Sequence, residues 1–259
     1  MTPKIYLLSR PQFDRAHQEF LSDFLPPDEA YWNDSSTATS AERLVEFAGR
    51  VCYMSFGSRQ SAKSNAEYIQ NLIRNGHESV LEHAVWSFAI AGVSRAFTHQ
   101  LVRHRVGFAF SQLSQQYHDE SDARFVRPAG IERVPGAATA WEKAIKEASS
   151  AYKMILKSFE IADEATSLRS QKEMMRALRS AARSVLPNAT ETAIIVTANA
   201  RALRHFFKLR GGIVGDPEIR CVAAALLELL RSEAPALFLD FSIEEQIDGL
   251  PLVIHNPIT

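Results

Sequence analysis

Two stretches of this sequence break the helical period that governs the rest. AVWSFAIAG, residues 84–92, alternates large apolar side chains with small or polar ones. TETAIIVTAN, residues 190–199, is rich in β-branched residues. Both patterns suit strands. KIYLLS, residues 4–9, reads as a third strand, closed by Pro11. A polar, proline-containing stretch runs from there to about residue 38. Elsewhere apolar residues recur at helical spacing. Thr39 with Glu42 forms a capping box that opens a helix through about residue 53. A second helix spans 64–75, with Gly76 placed to end it. Ser94 caps a helix carrying 95–105. Longer helical patterns cover 138–162 and 167–186, the latter ended by Pro187, and another covers 200–210 before Gly211 and Gly212. Asp216 and Pro217 make an N-cap and first-turn pair for a helix to about residue 233. Strands interleaved with an excess of helix define an α/β or α+β class.

The hydrophobic fraction is 46% and the charged fraction 23%, as in an ordinary globular protein. A net charge of −1 means that any anion site must come from local arginine clusters. Cys52 and Cys221 form neither a disulfide framework nor a metal set, and suit a reducing cytoplasm. Both lie in apolar helical patterns and read as packed, inert thiols. No secretory signal and no membrane span are expected.

The chemistry-bearing residues fall in four stretches. In the helix expected at 95–105, Arg95, His99 and Arg103 share one face, and Gln100 and His104 form a second row. Such cations and imidazoles can meet phosphate, carboxylate or an electron-rich ring; the bland alternative is a solvated basic helix end. Ser111, Gln112, Ser114, Gln115 and Gln116 follow in an extended or turning segment. HESVLEH, residues 77–83, gathers His77, Glu78, Glu82 and His83, but the spacing matches no zinc pattern, so no metal is assigned. Its plainer reading is a helix-to-strand turn whose polar groups cap backbone donors. Arg176, Arg179 and Arg183 share one helix face, and the first two read as a salt-bridged surface row. In NARALRHFFKLR, Arg201 and His205 lie on one side, Asn199 at the start and Arg210 at the close.

These motifs together resemble the flavin-dependent thymidylate synthases, over about residues 47–238. The shared features are RHR (103–105) followed by S-Q-x-Y (114–117), GHES (76–79), R-x-x-L-P from Arg183, and N-A-R-x-L-x-x-F-x-x-L-R (199–210). The resemblance implies a single helix-rich domain over 1–259 with a central mixed or antiparallel sheet. It implies bound FAD, and the conversion of dUMP, methylenetetrahydrofolate and NADPH to dTMP, tetrahydrofolate and NADP. It also implies a cytoplasmic homotetramer with active sites shared between subunits. By the same resemblance His77, Ser79, Arg103, His104, Arg105, Gln112, Asn199, Arg201 and His205 serve the flavin. Arg95, Gln100, Arg103, Ser114, Gln115, Gln116, Arg183 and Arg210 serve the nucleotide. Arg210 and Ser114 are the catalytic pair, with Arg210 stabilising the N3-deprotonated ring and so making C5 more nucleophilic. Neither cysteine reads as a nucleophile for the covalent route to thymidylate, which agrees with a flavin route.

The chain departs from the family pattern at four places. Eight residues, 106–113, separate RHR from Ser114, where the family has seven. Gln116 stands where a nucleotide-binding arginine is expected, Gln112 replaces a frequent glutamate, and Val214 replaces a frequent histidine. A related C5-methylase acting on UMP or another pyrimidine nucleotide is therefore a second reading. A basic-helix protein that binds nucleic acid is a third. The near-zero net charge and the lack of an aromatic platform beside the basic rows argue against it.

Overall fold

The computed structural model describes residues 3–34, 37–160 and 168–258. The chain divides into two compact units. The first comprises residues 1–4, 90–103 and 110–195; the second comprises 5–89, 104–109 and 196–259. Strands β1 (Lys4–Ser9), β2 (Val85–Ser94), β3 (Phe108–Gln112) and β4 (Glu191–Asn199) form a four-stranded sheet in the order β1-β2-β4-β3. The inward residues of β2 and β4, among them Trp86, Phe88, Ile90, Ile194 and Val196, are buried. The strand reading of both stretches therefore holds, and the α/β class with it.

In the second unit the stretch expected to be irregular contains α1 (Ala16–Phe24). Arg15, before its first residue, makes no side-chain cap bond; Asp14 does, with Oδ1 accepting from Ala16 N–H at 2.9 Å. Leu21 and Leu25 of this region pack on Phe56, with Trp32 and Phe47 beside them. Helices α2 (Ser40–Tyr53) and α3 (Asn65–Arg74) begin at complete capping boxes on Thr39 and Ser64. Between them Glu46 pairs with buried Arg50 at 2.6 Å and accepts from Asn65 Nδ2 at 2.7 Å. The HESVLEH stretch forms a 3₁₀ turn, Glu78–His83. Helix α7 (Ala200–Phe206) passes into a π-turn, Phe207–Gly211. Helix α8 (Pro217–Glu233) is capped by Asp216 with Pro217 in its first turn. The hairpin β5 (Phe241–Glu245) and β6 (Pro251–His255) is antiparallel, with Ile243 opposite Val253. Gly211 leaves room for Val253: a Cβ there would meet Val253 Cβ at 2.6 Å.

In the first unit α4 (Arg95–Leu101) starts at Ser94, whose Oγ accepts from Phe97 N–H at 3.0 Å. It ends earlier than the sequence suggests, so Arg103 and Arg105 lie beyond it. Helices α5 (Ala137–Glu160) and α6 (Leu168–Ala182) pack through Tyr152, Leu156, Leu178 and Ala182. The expected end of the first pattern at 162 and start of the second at 167 lie outside the described residues. Arg183 falls in a 3₁₀ turn, Arg183–Val185, that follows α6.

Candidate functional site

The first unit holds the residues expected to serve a nucleotide, apart from Arg210, which lies in the second. Arg95 opens α4 and is half-buried, and its Nη1 is buried without a hydrogen-bond partner. Burial holds its guanidinium below the ordinary arginine range; Glu120 acts against that shift and Arg183 with it. Two guanidinia thus lie near enough to repel each other. Glu120 is 5% exposed, and burial raises its carboxyl above the usual range despite the nearby His118 and Arg95. Ser114 starts a turn in which its carbonyl accepts from Tyr117 and His118 N–H, and its Oγ accepts from Gln116 N–H at 3.3 Å. Gln116 Nε2 makes a long bond, 3.5 Å, to Ser180 on α6. Gln115 is 5% exposed, and its Nε2 has no partner. Gln112 Nε2 donates to Thr98 on α4 at 3.0 Å.

The two α6 arginines behave as structural groups. Arg176 pairs with Glu173 at 2.8 Å and lies over the Tyr117 ring, while Arg179 donates to the Tyr117 carbonyl at 2.8 Å. The salt-bridge expectation therefore holds for Arg176, whereas Arg179 is held by a backbone carbonyl instead.

The second unit has a cleft of about 350 Å³ between the Glu78–His83 turn, the 104–109 segment and α7. Asn199, Arg201, His205 and Lys208 line it with Glu78 and Glu82. Asn199 caps α7 through Ala202 N–H at 2.8 Å, which fixes how the helix meets the cleft. Arg201 Nη1 donates to Glu82 at 2.6 Å, and Lys208 stands 3.9 Å from Glu78. The sequence offers these two carboxylates as metal ligands or as caps of backbone donors, not as partners of Arg201 and Lys208. Among the described residues no group of three or more His, Cys, Asp or Glu is placed to hold a metal. Their partners lie far along the chain, so no local spacing could have paired them.

His77 and Ser79 are exposed on the turn beside this cleft but do not line it; His77 stacks on Tyr53 with ring centroids 6.5 Å apart. Arg103 and Arg105 are exposed, and the helix face expected to join Arg95, His99 and Arg103 does not exist. The second row is broken with it. His104 turns into the second unit among Phe108, His205 and Phe206. Helix α4 has already closed at Leu101, and beyond it Gly107, at φ +73°, presents a carbonyl that accepts from Asn199 N–H at 3.2 Å. The absence of a Cβ permits that approach, since one would meet Asn199 Nδ2 and Ala202 Cβ at 2.7 Å each. Gly107→Ala is expected to cost about 1–3 kcal/mol through overpacking. A denaturation midpoint equal to the parent's would rule this out.

One of the two thiols also differs from expectation. Cys52 is exposed rather than packed, because its position on α2 points outward at the last turn. Cys221 is half-buried, and burial raises its thiol, which makes it a poor nucleophile at neutral pH.

Comparison with known proteins gives the family. The family model "Thymidylate synthase complementing protein" matches residues 35–236. A flavin-dependent thymidylate synthase of Mycolicibacterium gilvum is 44% identical over 231 residues, 88% of this chain and 90% of that protein. One from Mycobacterium avium is also 44% identical, and one from Mycobacterium tuberculosis 43%, each with the same coverage. The chain therefore belongs to the thymidylate synthase complementing protein family, the flavin-dependent thymidylate synthases, and is an enzyme.

Proposed function

We propose that this enzyme methylates C5 of dUMP to give dTMP, with methylenetetrahydrofolate as carbon donor, NADPH as reductant and FAD as resident cofactor. The observation that carries the nucleotide assignment is the Arg95–Arg183 pair. Two mutually repelling guanidinia, one with a buried unpartnered N–H, are what a phosphate would satisfy. Gln100, Ser114, Gln115 and Gln116 would complete that site, with Arg103 between the nucleotide and the cofactor.

The second-unit cleft fits part of a flavin dinucleotide. It offers cationic donors at Arg201, Lys208 and His205, an amide at Asn199 and carboxylate acceptors at Glu78 and Glu82. Its volume is at the low end for small-molecule sites, so it encloses part of a dinucleotide. That suits the shared site of a homotetramer, a second part of the proposal. Exposed apolar residues on β1 and β2, Tyr6, Leu8 and Val85, offer surface for assembly. His104, Arg105 and Gln112 would hold the flavin with Asn199, Arg201 and His205, and His77 and Ser79 would meet flavin and folate. The bound flavin supplies the hydride chemistry. Arg210 stabilises the pyrimidine anion that makes C5 nucleophilic, and Ser114 orients the ring. Among the described residues no helix is long and apolar enough to cross a membrane; a cytoplasmic location is part of the same proposal.

The Gln116 geometry favours a second substrate. An amide whose nitrogen is directed to Ser180 presents its carbonyl as the remaining polar group, and a carbonyl can accept from a ribose 2′-hydroxyl. Losing a guanidinium contact worth about 1.5–3 kcal/mol also predicts dUMP binding about ten- to a hundredfold weaker than with arginine. Tritium release from C5 of dUMP and UMP, measured side by side, tests both statements. Release from dUMP is expected, with UMP turned over measurably and Gln116→Arg tightening dUMP and excluding UMP. No release from either nucleotide overturns the function. Strict exclusion of UMP by the parent, unchanged in Gln116→Arg, overturns the second substrate.

A further inference from the structure

We infer that His104 is the positioning residue for Arg210: its neutral imidazole accepts the Arg210 Nε–H and thereby aims the remaining guanidinium N–H groups at the reacting ring. This rests on the reading of Arg210 given above. Arg210 Nε lies 3.2 Å from His104 Nε2. Arginine has donors only, so Nε2 must be the acceptor, and the imidazole proton must sit on Nδ1. The bond joins positions 106 residues apart and lies in a partly buried setting.

The surroundings hold both partners. Phe206 meets the His104 ring edge-on at 5.3 Å, and Phe108 lies at 6.0 Å. The charged or titratable neighbours are Arg210 itself and His205, whose ring is 6.3 Å away. Burial first, then Arg210 and His205, lower the His104 pKa, and all three act against the protonated form that could not accept. Arg210 sits on the π-turn Phe207–Gly211, which moves it off the regular α7 rows and toward this acceptor. With Nε engaged inward, the two Nη groups remain as a flat fork for a planar anion.

The test uses the flavin-loaded enzyme with dUMP. His104→Gln keeps an acceptor near the Nε2 position, whereas His104→Leu removes it. Single-turnover methyl transfer should fall about ten- to a hundredfold in His104→Leu, the loss expected when a reacting group is misplaced by about an ångström. At equal bound flavin per protomer, measured by absorbance, His104→Gln should transfer at least about tenfold faster than His104→Leu. In an Arg210→Ala background, His104→Leu should add no further loss. An equal loss in both backgrounds, or no rescue by glutamine, overturns the inference. If Arg210→Ala itself leaves transfer unchanged, the reading of Arg210 fails instead. A readout independent of activity is the nitrogen-15 shift pattern of the His104 ring. A proton on Nδ1 and a bare Nε2 at neutral pH are expected; a proton on Nε2 overturns the inference even if the leucine variant does not fold.

Discussion

Arg210→Ala is expected to lower methyl transfer by a factor of about a hundred to a thousand, the range for losing one donor aimed at developing negative charge. The uracil ring becomes nucleophilic at C5 only as negative charge spreads from N3, and a half-buried guanidinium stabilises that charge more than water does. In the proposed reaction, flavin reduction by NADPH does not involve the ring anion and should stay within a few-fold of the parent. Rapid-mixing absorbance for flavin reduction, beside quenched single turnovers for transfer, separates the two steps. A variant that transfers the methyl group at near-parent rate would remove Arg210 from its assigned role. A variant that loses both steps equally would indicate a broken flavin site instead. Lysine is a poor substitute here, because a point charge lacks both the Nε–H that reaches His104 and the planar fork.

Asp240→Ala should produce the largest loss of stability, about 3–5 kcal/mol, because it leaves a buried cation without its partner. Arg204 is 1% exposed and binds Asp240 through two bonds, 2.6 and 2.7 Å, with the Leu237 carbonyl as a third acceptor. His255 Nε2 lies 3.0 Å from the same carboxylate. Burial by itself would raise the Asp240 pKa, but the Arg204 bonds and charge, with the His255 bond, outweigh it and hold it below the usual carboxylate range. A depressed folded-state pKa stabilises the fold fully above the unfolded value of about 3.9 and loses that contribution as pH falls through the folded value. The Ala variant should therefore show a lower urea midpoint at neutral pH and a shallower decline below about pH 4. Replacing both partners, Arg204→Met with Asp240→Leu, should cost less than Asp240→Ala alone. A loss below 1 kcal/mol in Asp240→Ala would contradict the assignment.

The sequence by itself determined the helix starts, the strand stretches and the family. Thr39, Ser64, Ser94 and Asp216 cap the helices whose starts they mark, because a cap is settled within one turn of chain. The inward alternation of residues 84–92 and 190–199 was likewise legible, since a strand's faces follow from a period of two. Tertiary structure decided which charges meet. Arg201, Arg204 and Lys208 look alike on a helical wheel. Yet Arg201 faces Glu82 across 119 residues of sequence, and Arg204 is buried on Asp240. The same holds for His104, read as one of a helical row and found instead against Phe206 and Arg210. The helical register ended at Leu101, and beyond it the left-handed Gly107 approaches Asn199, a contact that depends on a segment more than ninety positions away. Local signals report only what neighbours within a few residues can satisfy. Whether a charge ends in water, in a cleft or in the core depends on desolvation and on partners brought together only by folding.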